Sequence, residues 1–337
     1  MTEDDTNSAV TFRVLGAADV RRLLTPERAI ASQRAAFAAL GARTAVPSAR
    51  IAVEGTEGSS AFSLTARLAP ESPAVNKFGS INPANGRREL AIISALVTVL
   101  DADTGRPAAL LDGTVLTELR TAAGSAVAAQ VLAPDATKII VVGAGVQGLA
   151  HLRLLARTHA RAALQLWGRD VPRVAHAARR IAAELDRPVV PVDELEAAVA
   201  GADLVVLCTS SPSPVIEAGW VRPGATVISI GSFAPDRHEV SAELLSRCAA
   251  VVVDDRQTAL EHAGPIMAAV AAGRLQTSDI RELGALIVSS DGVRRNRDDV
   301  VLYNSVGVGV QDAAAAVAVT EAAEGAVAGE RGSLITF

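Results

Sequence analysis

The spacing of apolar positions along this chain changes character several times, and the changes predict different kinds of element. Residues 1–10 are polar and acidic and read as a disordered tail. From Phe12 to about Leu40 apolar residues recur at helical spacing, with Thr25-Pro26-Glu27 reading as an N-cap followed by proline at the first helical position. Between 46 and 110, short β-like runs (Arg50–Val53, Ala61–Leu64, Ala91–Leu100) alternate with Gly, Pro, Asn and Ser loops, which predicts an antiparallel sheet. An alanine-rich helix over Thr114–Leu132 stops before Pro134. Strand and helix patterns then alternate: Lys138–Val142, Leu149–Thr158, Leu164–Trp167, Val171–Glu184, Val189–Val192, Leu195–Ala200, Leu204–Cys208, Thr226–Ile230 and Ala250–Val253. That rhythm predicts a parallel sheet with helices on both faces. Gly264–Gly292 reads as helical, Val300–Tyr303 as a strand, and Gln311–Ala328 as a helix that returns to the N-terminal domain.

The junction of the first strand of the alternating section with its helix is Gly143-Ala144-Gly145-Val146-Gln147-Gly148. A GxGxxG string alone is weak, but here a buried strand precedes it and an amphipathic helix follows. Gly143 permits the tight turn, Gly145 admits a pyrophosphate to the backbone, and Gly148 lets the helix pack on its strand. The amides of Val146 and Gln147 open the helix and present its positive dipole end to phosphate. The expected fold class is α/β: a Rossmann-type doubly wound parallel sheet over 121–309. An α+β substrate-binding and dimerisation domain is expected from 1–120 with 310–337.

Composition narrows the function further. A 337-residue chain exceeds the usual size of one core, and with 3% aromatic residues its cores are built from Val, Leu, Ile and Ala. A net charge of −5 without a basic cluster speaks against nucleic acid as a partner. The acidic start is no signal peptide and no apolar run is long enough to span a bilayer, so a cytoplasmic protein is expected. Cys208 and Cys248 lie in apolar runs and read as reduced core cysteines. His151, His159, His176, His238 and His262 are scattered without metal-ligand spacing and read as surface residues.

The end of the second strand selects the cofactor. An acidic residue about 20 positions past the glycines binds a ribose 2′-hydroxyl, whereas arginine accommodates a 2′-phosphate. Here the strand runs into Gly168-Arg169-Asp170. Glycine makes room, Arg169 supplies a charged fork, and NADP(H) is expected over NAD(H). Asp170 could instead serve as the N-cap of the next helix.

Several separated blocks resemble the ornithine cyclodeaminase/μ-crystallin family: Asn76-Lys77-Phe78 with Asn82-Pro83-Ala84-Asn85, Asp101-Ala102-Asp103-Thr104-Gly105-Arg106-Pro107, Leu116 to Ala123, the glycine turn, and Ser305-Val306-Gly307 with Gln311-Asp312. The resemblance covers about Val46 to Ala316. It implies a homodimer in which Arg50, Lys77, Arg120 and Val306 line the pocket of an amino or imino acid. It also implies that Arg120, Thr121, Thr209, Gly231, Ser232, Arg237 and Ser305 join Gly143, Gly145, Val146, Gln147, Gly148, Gly168, Arg169 and Asp170 around the dinucleotide. An arginine fork with a second cation suits a carboxylate. A lysine among cations has a lowered pKa and exchanges protons near neutrality. Lys77 and Arg120 are thus the expected catalytic pair.

One departure shapes the expected activity. The cyclodeaminases carry a catalytic Asp where this chain has Phe233, and the Ala61–Ala66 stretch lacks their acidic residue. The expected function is therefore an NAD(P)H-dependent reductase of imino acids, either cyclic ketimines or imines of 2-oxo acids, equivalently an amino-acid dehydrogenase. A cyclodeaminase of ornithine or lysine and a non-catalytic crystallin-like binding protein are the alternatives.

Overall fold

A strand, not a helix, opens the described part of the chain, which in this computed structural model comprises residues 10–47, 50–88, 90–294, 296–327 and 329–336. The expected tail therefore lies almost wholly outside the described residues. β1 (Thr11–Leu15) precedes α1 (Ala17–Leu23) and α2 (Pro26–Gly41). The helical reading from Phe12 began too early, because so short an apolar run does not separate strand from helix until its partners are known. Then come β2 (Val46–Pro47), β3 (Ile51–Glu54), β4 (Ser60–Arg67), β5 (Val75–Ile81), β6 (Ile93–Leu100), β7 (Pro107–Asp112) and α3 (Gly113–Leu132). β5 and β7 had no counterpart in the apolar pattern. In β5 the cause is specific: Lys77 points inward at 3% exposure while Phe78 points outward at 60%, inverting the polarity of the alternation.

The alternating section forms β8 (Lys138–Val142), α4 (Val146–Thr158), β9 (Ala163–Trp167), α5 (Val171–Leu185), β10 (Val189–Pro191), α6 (Leu195–Ala200) and β11 (Leu204–Leu207). It continues through β12 (Thr226–Ser229), α7 (Ala242–Arg247), β13 (Ala250–Val253), α8 (Arg256–His262), α9 (Gly264–Ala271), β14 (Ile280–Glu282), α10 (Leu283–Ser289) and β15 (Val301–Asn304). The stretch expected as helix from Gly264 to Gly292 is thus two helices around a short strand, which pairs with β13. These strands run parallel in the order β10-β9-β8-β11-β12-β15-β13-β14. Strand order reverses between β8 and β11, the place where open α/β sheets bind ligands at their carboxyl ends. Ile139–Val142 and Leu204–Leu207 are fully buried, as two-sided burial requires.

The chain closes with α11 (Gly309–Glu324) and β16 (Ser333–Thr336). α11 ends short of Ala328, which lies outside the described residues. Among the described residues, eight strands make the other sheet, ordered β16-β1-β7-β6-β5-β4-β2 with β3 on β4. It is antiparallel except where β1 meets β7. α11 packs on β4 and β5. The described parts of Met1–Ser32, Thr44–Arg120 and Gly309–Phe337 form one compact unit, and Gln33–Arg43 with Thr121–Val308 another. The division falls inside α3, between Arg120 and Thr121.

Candidate active site

In the first unit, β5, α3 and α11 each deliver one charged side chain to a common buried point. Lys77 Nζ lies 2.6 Å from Asp312 Oδ2, and Arg120 Nε lies 3.0 Å from Asp312 Oδ1. The Lys77–Asp312 contact is a buried ion pair. Arg120 Nη1 also donates to Gln311 Oε1 at 3.3 Å. Burial pulls the Lys77 ammonium down to about 8; Asp312 opposes the fall, and Arg120 and Arg50 add to it. For Asp312 burial pushes upward, but Arg120 and Lys77 outweigh it and hold the carboxyl below its ordinary range. Phe62 lies under two cations, with Arg50 at 5.1 Å and Lys77 at 5.8 Å from the ring centre. Arg50 is half-buried, and its Nε has no hydrogen-bond partner. Arg50, Lys77 and Arg120 are therefore brought together as expected from the sequence, around an acidic residue to which no role had been given.

In the second unit the glycine turn has the geometry a dinucleotide requires. Gly143 has φ +118°, and a Cβ there would lie 2.5 Å from the Cys208 carbonyl. A Cβ on Gly148 would lie 1.7 Å from the Gly143 oxygen, so α4 and its turn touch backbone to backbone. Gly145 is the opposite case: a Cβ there would meet open space. That open cradle lies beside the start of α4, which no side chain caps and where Val146 is exposed. Gln147 Oε1 is buried without a hydrogen-bond partner. These residues fit a pyrophosphate. At the end of β9, a Cβ on Gly168 would crowd Val174 at 2.9 Å, Arg169 is exposed, and Asp170 Oδ1 accepts the Arg173 amide at 3.0 Å as the N-cap of α5. Capping thus occupies one oxygen of the expected cofactor ligand Asp170.

The loops after β11 and β12 are built around a residue sequence reasoning missed. Glu239 is fully buried. Its Oε1 accepts the Thr209 amide (2.6 Å) and hydroxyl (2.8 Å), and its Oε2 accepts the Ser229 hydroxyl (2.8 Å) and the Gly231 amide (2.7 Å). Burial pushes this carboxyl up while the four donors pull it back. The Ser232 hydroxyl accepts the Glu239 amide at 2.9 Å. The Thr209 hydroxyl thus donates inside the loops, and the Ser232 oxygen accepts there. Arg237 donates to the Ser210 carbonyl, and Phe233 is half-buried. Asp254, at the end of β13, does the same for the next turn: its Oδ2 accepts Ser305 Oγ (3.1 Å) and the amides of Val306 (2.9 Å) and Gly307 (2.6 Å). Nothing in the sequence near Glu239 or Asp254 marks them, since their donors lie in separate loops. Thr121 is half-buried one residue past Arg120 in α3.

Two expectations are corrected. His151 and His159 are buried, not on the surface. His151 bridges the Gln147 carbonyl (2.7 Å) and Ser125 Oγ (2.8 Å), and burial pulls it to about 4, so it is neutral. Cys208 and Cys248 are free thiols, as expected, and are half-buried rather than fully buried, with Cys248 packed against the core of the second unit. Among the described residues no helix is long and apolar enough to cross a membrane.

The model of the ornithine cyclodeaminase/mu-crystallin family matches residues 12–326. The chain belongs to that family. Within it, the iminosuccinate reductase of Paracoccus denitrificans (strain Pd 1222) is 32% identical over 321 residues, covering 92% of this chain and 96% of its own length. Its crystal structure in complex with NAD+ matches with a TM-score of 0.87 at 29% identity, over 96% of this chain and 99% of that one. Thermococcus litoralis Delta(1)-pyrroline-2-carboxylate reductase, solved with NADH and L-proline, also matches with a TM-score of 0.87, at 25% identity over 93% of this chain and 98% of that one. The family assignment and the α/β fold expected from the sequence both hold.

Proposed function

We propose that this protein is an NAD(P)H-dependent reductase of imino acids, acting on a cyclic ketimine or on the imine of a 2-oxo acid, and on the amino acid in reverse. The observation that carries this reading is the buried Lys77–Asp312–Arg120 arrangement beside Arg50. Its net positive charge suits a substrate carboxylate, which Arg120 and Arg50 bind and orient. Lys77 holds the proton that the imine nitrogen receives. The Gly143–Gly148 turn would hold the nicotinamide dinucleotide, which would supply or accept the hydride. The named relatives are reductases, and two were solved with NAD+ or NADH. For this chain we favour NADP(H): Asp170 caps α5, which leaves the exposed Arg169 as the charged group for a 2′-phosphate.

We assign substrate binding and dimerisation to the first unit and the dinucleotide to the second. The sheet face opposite α11 carries Ile51, Val53, Phe78 and Leu96, each more than half exposed and aligned by strand register, and a second copy covering it makes a homodimer. The deciding experiment follows oxidation of NADPH and NADH against cyclic ketimines and pairs of 2-oxo acids with amines. Stoichiometric consumption with at least one preformed imino acid is expected, and no proline or ammonia from ornithine with catalytic NADP+, because Phe233 can neither orient nor deprotonate an amine. Redox-neutral proline formation would return the protein to the cyclodeaminases.

A further inference from the structure

We propose that Asp312 is a positioning residue for the proton transfer, fixing the Lys77 ammonium in place and keeping its proton there until the substrate takes it. The inference rests on the reading of Lys77 given above. Lys77 is buried in β5 at 3% exposure, and the charged groups facing it are Asp312 from α11, Arg120 from α3 and Arg50 from the segment before β3. Two of these three are cations that repel an ammonium, and burial also favours the neutral amine. Among the described residues, Asp312 is the charged group that opposes all of them. Its two oxygens divide the work: Oδ2 meets Lys77 and Oδ1 meets Arg120, so one carboxylate sets the spacing of the proton donor and the arginine.

The usage of lysine points the same way. The chain has two lysines, Lys77 and Lys138, against an abundance of arginines. Arginine keeps its proton under all ordinary conditions, whereas a buried lysine can release one. Of the two lysines, Lys77 is the buried one, and it stands against Asp312. In reduction, hydride adds to the imine carbon and the Lys77 ammonium gives one proton to the imine nitrogen. The product is the amine, and the lysine is left neutral until water restores its proton. In the reverse direction the neutral lysine takes that proton.

The test uses nitrogen-15-labelled lysine, which gives two side-chain signals, with Lys138→Arg assigning Lys77. The wild-type ammonium should titrate at about 8. Asp312→Asn should lower that midpoint by about 1–3 pH units, the scale of one close opposite charge, and shift the alkaline limb of kcat/KM for reduction by the same amount. Asp312→Glu keeps the charge but moves it by a methylene. The midpoint should stay near the wild-type value while kcat drops on the order of 10²-fold and the KM for dinucleotide holds. A wild-type Lys77 titration in Asp312→Asn overturns the inference alone. Should that variant fail to fold, an unchanged kcat in Asp312→Glu overturns it instead. Full turnover in Lys77→Ala would overturn the proposed function and this inference with it.

Discussion

Each unit of this protein is organised by a buried carboxylate, and the two are satisfied in opposite ways. Asp312 sits on two cations, Lys77 and Arg120. Glu239 accepts hydrogen bonds from two backbone amides and two hydroxyls and forms no ion pair among the described residues. A carboxylate held by neutral donors ties together the loops that carry them. A carboxylate held by an ammonium controls a proton that can leave. Buried ion pairs are poor stabilisers, since desolvation consumes most of the Coulomb attraction. Hydrophobic side chains would fill the same volume at no loss of stability. On the function proposed above, the first carboxylate governs the proton transfer and the second shapes the loops of the unit assigned to the dinucleotide.

The largest effect that could break this comparison is on turnover. Lys77→Met removes the transferable proton but leaves Asp312 paired with Arg120, so the fold keeps its charge balance. We expect turnover to fall by about 10²–10⁴, the contribution of a positioned acid–base group, with dinucleotide affinity unchanged. Near wild-type turnover would mean that the ion pair is structural after all, like Glu239. The next effect belongs to the binding unit. Arg169→Ala should weaken NADPH binding by about 1.5–3 kcal/mol, the scale of a hydrogen bond to a charged group, and leave NADH nearly unaffected in the same titration. Equal losses for both, or a wild-type preference for NADH, would remove Arg169 from the site.

Glu239→Gln tests the neutral half directly. Each Glu239 oxygen serves one backbone amide and one hydroxyl. Whichever oxygen becomes an NH2 group, one amide, of Thr209 or of Gly231, loses its acceptor. An unsatisfied buried donor costs about 1–3 kcal/mol, to be read from urea denaturation. The Lys77 titration should not move. If it does, the two carboxylates are not independent and the comparison fails.

The same contrast explains what could be read from the chain. The parallel sheet was legible almost strand by strand, because two-sided burial writes continuous apolar runs such as Ile139–Val142 into the sequence. Gly143, Gly145 and Gly148 were legible because backbone constraints admit one residue type. β5 was not: Lys77 occupies an inward position and Phe78 an outward one, which inverts the usual alternation. Asp312 was visible as part of a block but had no role, since its partners lie on strands and helices far away in sequence. Glu239 and Asp254 gave no signal at all. Each satisfies donors from loops that only the fold brings together.

The remaining expected effect is a slope of stability against pH. Lys77 titrates near 8 when folded and at its ordinary 10.5 when unfolded. Between those values the unfolded chain binds a proton that the folded chain does not, so raising pH favours the folded state. The gain is at most about 1.4 kcal/mol per pH unit, starts near pH 8 and is complete by about 10.5. Below pH 8 both states carry the ammonium and the slope from this group vanishes. The measurement is the difference in unfolding free energy between the wild type and Lys77→Met from pH 7 to 10, because other titrating groups cancel in that difference. Glu239, raised in the folded state, should give the opposite sign at acidic pH. Its folded form holds a proton more firmly than the unfolded one, so the wild type should lose ground to Glu239→Gln as pH rises past the ordinary glutamate range. A flat wild-type-minus-Met difference across pH 8–10 would show that Lys77 keeps its proton too firmly to be the acid, and Asp312 would then be a clamp rather than a control.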